Sequence, residues 1–182
     1  MESRLNNDNS QTWNTLAESA SRLVDLLSRR NLRIVFAESC TGGLVAATLT
    51  QIPGVSNWLC GSAVTYQEET KQAWLDVPEH DLQEHTAVSE QVTRVMAQQV
   101  LAKTPQADFA VAVTGHLGPD APHELDGVVF IAGVSRSRTE PAIEATQIQL
   151  TRQDRRSRQI EAAEAVLRFA VSSCGAATRS DQ

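Results

Sequence analysis

Apolar positions along this chain switch between a helical and an extended period. Trp13, Leu16, Ala20, Leu23, Val24 and Leu27 recur at helical spacing, so residues 12–29 predict an amphipathic helix. The run "LRIVFAE" (32–38) is nearly all apolar and ends in polar residues, the pattern of a strand covered on both faces. A second helix is expected from near Thr41 to about Gln51, where Ile52-Pro53-Gly54 stops it. "GSAVTY" (61–66) reads as the second strand. Thr65 and Glu68 stand in capping-box spacing, so a helix should begin near Tyr66. Ser89 is the expected N-cap of a longer helix through "AVSEQVTRVMAQQVLAK". Two buried strands, "DFAVAVTG" and "GVVFIAGV", are joined by "HLGPDAPHELD". "AIEATQIQL" alternates and reads as an outer strand, and Ile160, Ala163, Leu167, Ala170 and Val171 mark a last helix.

Strands and helices alternate for most of the length. That order predicts an α/β fold, a three-layer α/β/α sandwich with a mostly parallel central sheet. Residues 1–11 read as a disordered polar tail, 12–172 as a single domain, and 173–182 as a flexible tail.

Composition narrows the function classes. With 41% apolar and 21% charged residues the 182-residue chain has ordinary globular proportions. A net charge of −6 argues against a general nucleic-acid binder. No run approaches the ~20 apolar residues of a membrane span, and the polar start has no apolar signal core, so no membrane partner is expected. Cys40, Cys60 and Cys174 are odd in number and widely spaced. They form no disulfide framework, which suits a cytoplasmic protein with reduced thiols.

In open α/β sheets, sites lie beyond the carboxyl ends of strands. Three segments fall there. In "ESCTGG" a helix starting just after Ser39 would surround its hydroxyl with the N–H groups of Cys40, Thr41, Gly42 and Gly43, a place for an anion or oxyanion. Ser39 is equally at home there as a plain N-cap, and Cys40 is a competing nucleophile if the helix terminus lowers its pKa. In "TYQEETK" Lys71 could serve as a base if burial or a cation depressed its pKa; a surface pair with Glu68 is the alternative. Tyr66, the chain's only tyrosine, could relay a proton or bury its ring. In "TGHLGP" the glycines and turn-formers, with Thr114, Gly115 and Gly118, could line a phosphate, or form a surface crossover. The histidines His80, His85, His116 and His123 make no metal signature, so no metal site is expected. "TRQDRRSRQ" is a basic run from which one arginine could turn inward to hold an anion.

The series "AESCTGG", "GSAVTYQEETK", "HTAVSEQV", "AVAVTGHLGP" and "GVVFIA" resembles the C-terminal domain of competence-damage-inducible protein A, the nicotinamide-nucleotide amidases. The similarity runs from about Leu16 to Ala170. The resemblance implies an α/β sandwich, generally a homodimer, that hydrolyses the carboxamide of nicotinamide mononucleotide to nicotinic acid mononucleotide and ammonia. It implies no cofactor and no metal. It makes Ser39 the nucleophile, Lys71 its base with Tyr66 beside it, and the N–H groups after Ser39 the oxyanion site. It also makes Arg155 a substrate-binding cation. Some members carry an additional N-terminal domain, and this chain reads as the stand-alone form.

The chain departs from the family pattern in two places. The third loop usually reads like "TGIAGPxGG" with a lysine before the next strand. Here it is "TGHLGPDAPHELDG", with His116 and Leu117 in place of the small pair and neither the double glycine nor the lysine. Near the last helix Asp154 and Arg155 stand in place, but a second arginine four residues on becomes Gln159. Both changes fall where phosphate or ribose would be held. They leave a second reading, a catalytically inactive or altered-substrate nucleotide-binding module of the same fold.

Overall fold

The computed structural model describes residues 2–136 and 143–176, with side chains described for 13–136 and 143–174. In chain order the elements are α1 (Glu2–Arg30), β1 (Ile34–Glu38), α2 (Leu44–Leu49), β2 (Leu59–Val64), α3 (Glu68–Leu75), α4 (Glu79–His85), α5 (Glu90–Ala102), β3 (Phe109–Gly115), β4 (Val128–Ser135), β5 (Ile143–Gln149) and α6 (Arg155–Ala176).

One five-stranded sheet runs in the order β2-β1-β3-β4-β5. Two cores lie on its opposite faces, which makes the three layers. On one face α1, α2 and α6 bury Leu16, Leu23, Val45, Val166 and Leu167 against Phe36, Val111 and Ile131. On the other, α5 buries Val92, Met96 and Val100 against Val35, Ala37, Ala110, Ala112 and Ala132. The small residues on that second face let α5 lie close to the strands. Alternation along each strand thus sends its residues to two different apolar layers, so β1 and β3 are buried along nearly their whole length.

The sheet is mixed rather than mostly parallel. β1 is parallel to β2 and to β3, whereas β3–β4 and β4–β5 are antiparallel. Connections decide this. A parallel neighbour needs a helical crossover, and β1→β2 and β2→β3 have them. Residues 116–127 hold no α-helix between β3 and β4, so β4 returns antiparallel to β3, and β5 lies antiparallel beside β4.

Several boundaries move. α1 starts at Glu2 rather than near residue 12. Residues 2–11 hold no Gly or Pro to stop a helix nucleated by the packed Leu16–Leu27 stretch. At the other end, α6 runs to Ala176, past the expected tail start at 173. Ser173 Oγ donates to Glu144 at 2.6 Å and the Cys174 carbonyl accepts from Arg30 at 2.8 Å. Residues 177–182 of that expected tail lie outside the described residues. Ser89 does cap α5, its hydroxyl accepting from the Val92 N–H at 3.2 Å. The short α4, in "EHDLQEH" after Pro78, has no counterpart in the apolar periodicity.

Candidate functional site

Because β1, β2 and β3 are parallel neighbours, their carboxyl ends share one edge of the sheet, and the three loops singled out in the sequence meet there. They enclose a cavity of about 390 Å³ bordered by Ser39, Cys40, Tyr66, Lys71, Arg155 and the stretch Gly115–Ala121, with Ala87 and Val88 from the α4–α5 connection.

Ser39 continues β1 by one bond, its N–H donating to the Val113 carbonyl at 3.1 Å. It is not the cap of α2. The chain turns through Gly42 (φ 62°) and Gly43 (φ 94°), left-handed positions that suit glycine, and α2 begins only at Leu44. Within that turn the Gly42 N–H is taken by the Ser39 carbonyl at 3.0 Å. Among the described residues the N–H groups of Cys40, Thr41 and Gly43 donate to no carbonyl. Of the expected oxyanion donors, Gly42 is therefore already engaged. The first turn of α2 is capped from an unexpected direction: the Glu38 carboxylate accepts from the N–H groups of Val45 and Ala46, both at 3.1 Å, and from Thr41 Oγ1 at 2.8 Å.

Lys71 is not a surface partner of Glu68. It is 1% exposed, with Nζ 3.1 Å from Ser39 Oγ, 2.8 Å from the Thr65 carbonyl and 3.4 Å from the Tyr66 carbonyl. Burial pushes its pKa below the ordinary lysine value, while Cys40 and Glu68 pull it weakly the other way. The expected capping box is also replaced. Gln67 is the N-cap of α3, which leaves Thr65 buried behind the amine with its carbonyl turned to Nζ.

Cys40 borders the cavity but is poorly suited to attack. Burial pushes its thiol up to about 12, so it carries almost no thiolate at neutral pH. Its sulfur packs beside Gly115, where an added Cβ would fall 3.1 Å from Sγ and 2.7 Å from a Val129 methyl. Gly115 is thus needed for close packing of β3 on β4 at the cavity floor.

Tyr66 and Arg155 close one side. Arg155 donates through Nη2 to the Tyr66 hydroxyl at 2.6 Å and through Nη1 to the Gly118 carbonyl. The tyrosine hydroxyl is thus held by Arg155, and only the Tyr66 backbone carbonyl faces Lys71. Thr114 does not border the cavity. It is fully buried, with Oγ1 2.7 Å from Thr93 Oγ1, and it fastens α5 to β3. His116 borders the cavity, and burial pushes its pKa below the usual histidine value, against the pull of Asp126.

Three residues carry more of this arrangement than the motifs indicated. Glu38 looked like a plain strand end; an acidic side chain closing an apolar run just before the nucleophile was its signal. Arg158 stands one turn from Arg155 on the same face of α6. It clamps the third loop, with Nη1 and Nη2 at 2.7 and 2.9 Å from the two carboxylate oxygens of Asp126. Gln159 donates to the Thr41 carbonyl at 2.9 Å and so braces the turn after Ser39. Among the described residues no group of three or more His, Cys, Asp and Glu could hold a metal, and no helix is long and apolar enough to cross a membrane.

Known proteins resemble this chain in sequence and in fold. A CinA-like protein of Prochlorococcus marinus (strain MIT 9312) is 45% identical over 98 residues, which is 54% of this chain and 23% of that protein. The chain spans only 23–33% of the length of such curated relatives. The crystal structure of competence damage-inducible protein A (ComA) from Klebsiella pneumoniae matches with a TM-score of 0.83 at 27% identity, over 90% of this chain and 99% of that one. Competence/damage inducible protein CihA from Agrobacterium tumefaciens matches with a TM-score of 0.81 at 31% identity, over 87% and 94%. Residues 16–173 match the CinA C-terminal domain, and the chain belongs to that family.

Proposed function

We propose that this protein is an amidohydrolase that deamidates nicotinamide mononucleotide to nicotinic acid mononucleotide and ammonia by a serine–lysine mechanism, without a metal or cofactor. The observation that carries the reading is the buried Lys71 amine 3.1 Å from Ser39 Oγ. A neutral amine has two N–H bonds and one lone pair. The Thr65 and Tyr66 carbonyls can take the two hydrogens, which turns the lone pair toward the serine.

In the proposed reaction Ser39 Oγ attacks the carboxamide carbon and its proton passes to Lys71 Nζ. The Cys40 N–H, which borders the cavity and donates to no carbonyl among the described residues, is the donor assigned to the developing oxyanion. Collapse breaks the C–N bond, Lys71 protonates the leaving nitrogen, and ammonia departs. Water then attacks the Ser39 ester, giving its proton back through Lys71, and releases the acid. Arg155 is the cation placed to hold the nucleotide's phosphate, with the third loop around it. By the resemblance, the enzyme works as a cytoplasmic homodimer in pyridine-nucleotide salvage, with no nucleic-acid or membrane partner.

The commitment of Arg158 to Asp126 favours a second reading, an altered ligand or a binding module, because among the described residues it leaves Arg155 as the arginine bordering the cavity. The test is product analysis after incubation with nicotinamide mononucleotide. Equal amounts of nicotinic acid mononucleotide and ammonia support the amidase. A melting temperature raised by the mononucleotide with no product supports the binding module.

A further inference from the structure

Glu38 has no part in the proton transfers above, yet its carboxylate is fully buried next to the nucleophile. Burying such a group is costly unless its oxygens are hydrogen-bonded. Here Oε2 accepts from Thr41 Oγ1 (2.8 Å) and the Val45 N–H (3.1 Å), and Oε1 from the Ala46 N–H (3.1 Å) and Ser62 Oγ (2.9 Å). These bonds join the turn after Ser39, the first turn of α2, and the neighbouring strand β2. The Glu38 main chain adds a link to the base: its carbonyl accepts from the Thr65 N–H at 2.9 Å, and the Thr65 carbonyl holds Lys71 Nζ at 2.8 Å.

We propose that Glu38 is the positioning residue of the nucleophile. Its carboxylate fixes the Ser39–Gly43 turn against α2 and β2, and so keeps Ser39 Oγ within reach of Lys71 Nζ. This builds on the reading of Ser39 as the nucleophile. Side-chain chemistry makes the position exacting. Aspartate is one methylene too short to reach the same donors. Glutamine has the right length, but a backbone N–H faces each oxygen, so either orientation of the amide sets an NH₂ against Val45 or Ala46. Thr41 offers a gentler probe: valine keeps the shape and the backbone N–H but loses the bond to Glu38, and serine keeps the hydroxyl.

The experiment measures covalent labelling of Ser39 by a fluorophosphonate against pH, by mass spectrometry, in wild type, Glu38→Gln, Thr41→Val and Thr41→Ser, with Ser39→Ala as the blank. Amide hydrogen exchange over residues 39–46 and over α5 is followed in the same proteins. Displacing a nucleophile by about 1 Å can cost on the order of 10²-fold. The expected result is a maximal labelling rate at least about ten-fold lower in Glu38→Gln, lowered in Thr41→Val and near wild type in Thr41→Ser. The pH of half-maximal labelling stays fixed in Thr41→Val, which leaves every charge in place, and exchange quickens over 39–46 but not over α5. Wild-type labelling and exchange in Glu38→Gln would overturn the proposal, as would a moved pH midpoint with an unchanged maximal rate. If Glu38→Gln does not fold, the Thr41 pair decides: equal rates in valine and serine variants overturn it. If Ser39 is unlabelled even in wild type, the nucleophile reading falls. Exchange over 39–46 then judges whether Glu38 fixes the turn.

Discussion

Ser39 Oγ and Lys71 Nζ stand 3.1 Å apart across the ends of β1 and α3, and the amine's other close partners are the carbonyls of Thr65 and Tyr66. Among the described residues no carboxylate bonds the amine, so burial dominates its chemistry and favours the neutral form.

The pH dependence of the reaction follows from that. The competent base is the neutral amine, present above the Lys71 pKa. Because that pKa is lowered from 10.5, the rate should rise with pH and level off below the range where an exposed lysine titrates. A kcat/KM profile flat across the neutral and alkaline range would contradict this. Lys71→Met should lower the rate on the order of 10²–10⁴-fold and abolish the alkaline rise, as expected for loss of a general base.

Tyr66→Phe separates a proton relay from a positioning role. The tyrosine hydroxyl contacts Arg155 Nη2 at 2.6 Å and does not contact Lys71. The variant should therefore raise KM for the mononucleotide and leave the pH profile in place. A large fall in kcat with an altered profile would restore the relay.

Arg155→Ala should weaken substrate binding by roughly 10- to 150-fold, the worth of a hydrogen bond to a charged group of about 1.5–3 kcal/mol. Arg155→Lys should recover little, because the guanidinium bridges two partners, Tyr66 and Gly118, that a single ammonium cannot span in the same way. KM measured for both variants checks this, and full recovery by lysine would count against the bridge.

The Arg158–Asp126 pair gives a stability prediction with a definite sign. The Arg158 hydrogen bonds hold the Asp126 carboxyl below its usual 3.8, so the pair's contribution is present above that value and is lost as pH falls through the depressed pKa. Wild type should melt higher than Asp126→Asn at neutral pH, and the gap should close in strong acid. Melting curves across pH test it, and a gap that persists below the depressed pKa would show another cause.

Much of this was legible in the sequence, for physical reasons that differ by element. β1 and β3 announced themselves because strands buried on both faces read as unbroken apolar runs, and Ser89 capped its helix as its chemistry demands. The loops after β1, β2 and β3 meet because parallel neighbours carry their carboxyl ends to one edge of the sheet. The capping details were less legible. "AESCTGG" reads locally as a helix start with Ser39 as the cap, but the buried Glu38 carboxylate takes that role from one residue earlier, and α2 waits until Leu44. Thr65 matched a capping box, yet its backbone is used to hold Lys71 and Gln67 starts α3. The burial of Lys71 could not be read either, since a Glu–Lys pair one turn apart is ordinary on an exposed helix. The antiparallel half of the sheet followed from a loop too poor in helix signal to cross over, which the alternation of elements concealed.

Cys40→Ala should keep most of the activity, because a thiol buried and pushed up to about 12 supplies almost no thiolate at neutral pH. Iodoacetamide should label it slowly in the folded protein.

Whether Ser39 is the nucleophile of an amidase is decided by ammonia release from nicotinamide mononucleotide in wild type, Ser39→Ala and Cys40→Ala side by side. Wild type and Cys40→Ala should release ammonia, and a folded Ser39→Ala should release none above background. Undiminished release by Ser39→Ala, or its loss in Cys40→Ala alone, would contradict that role for Ser39.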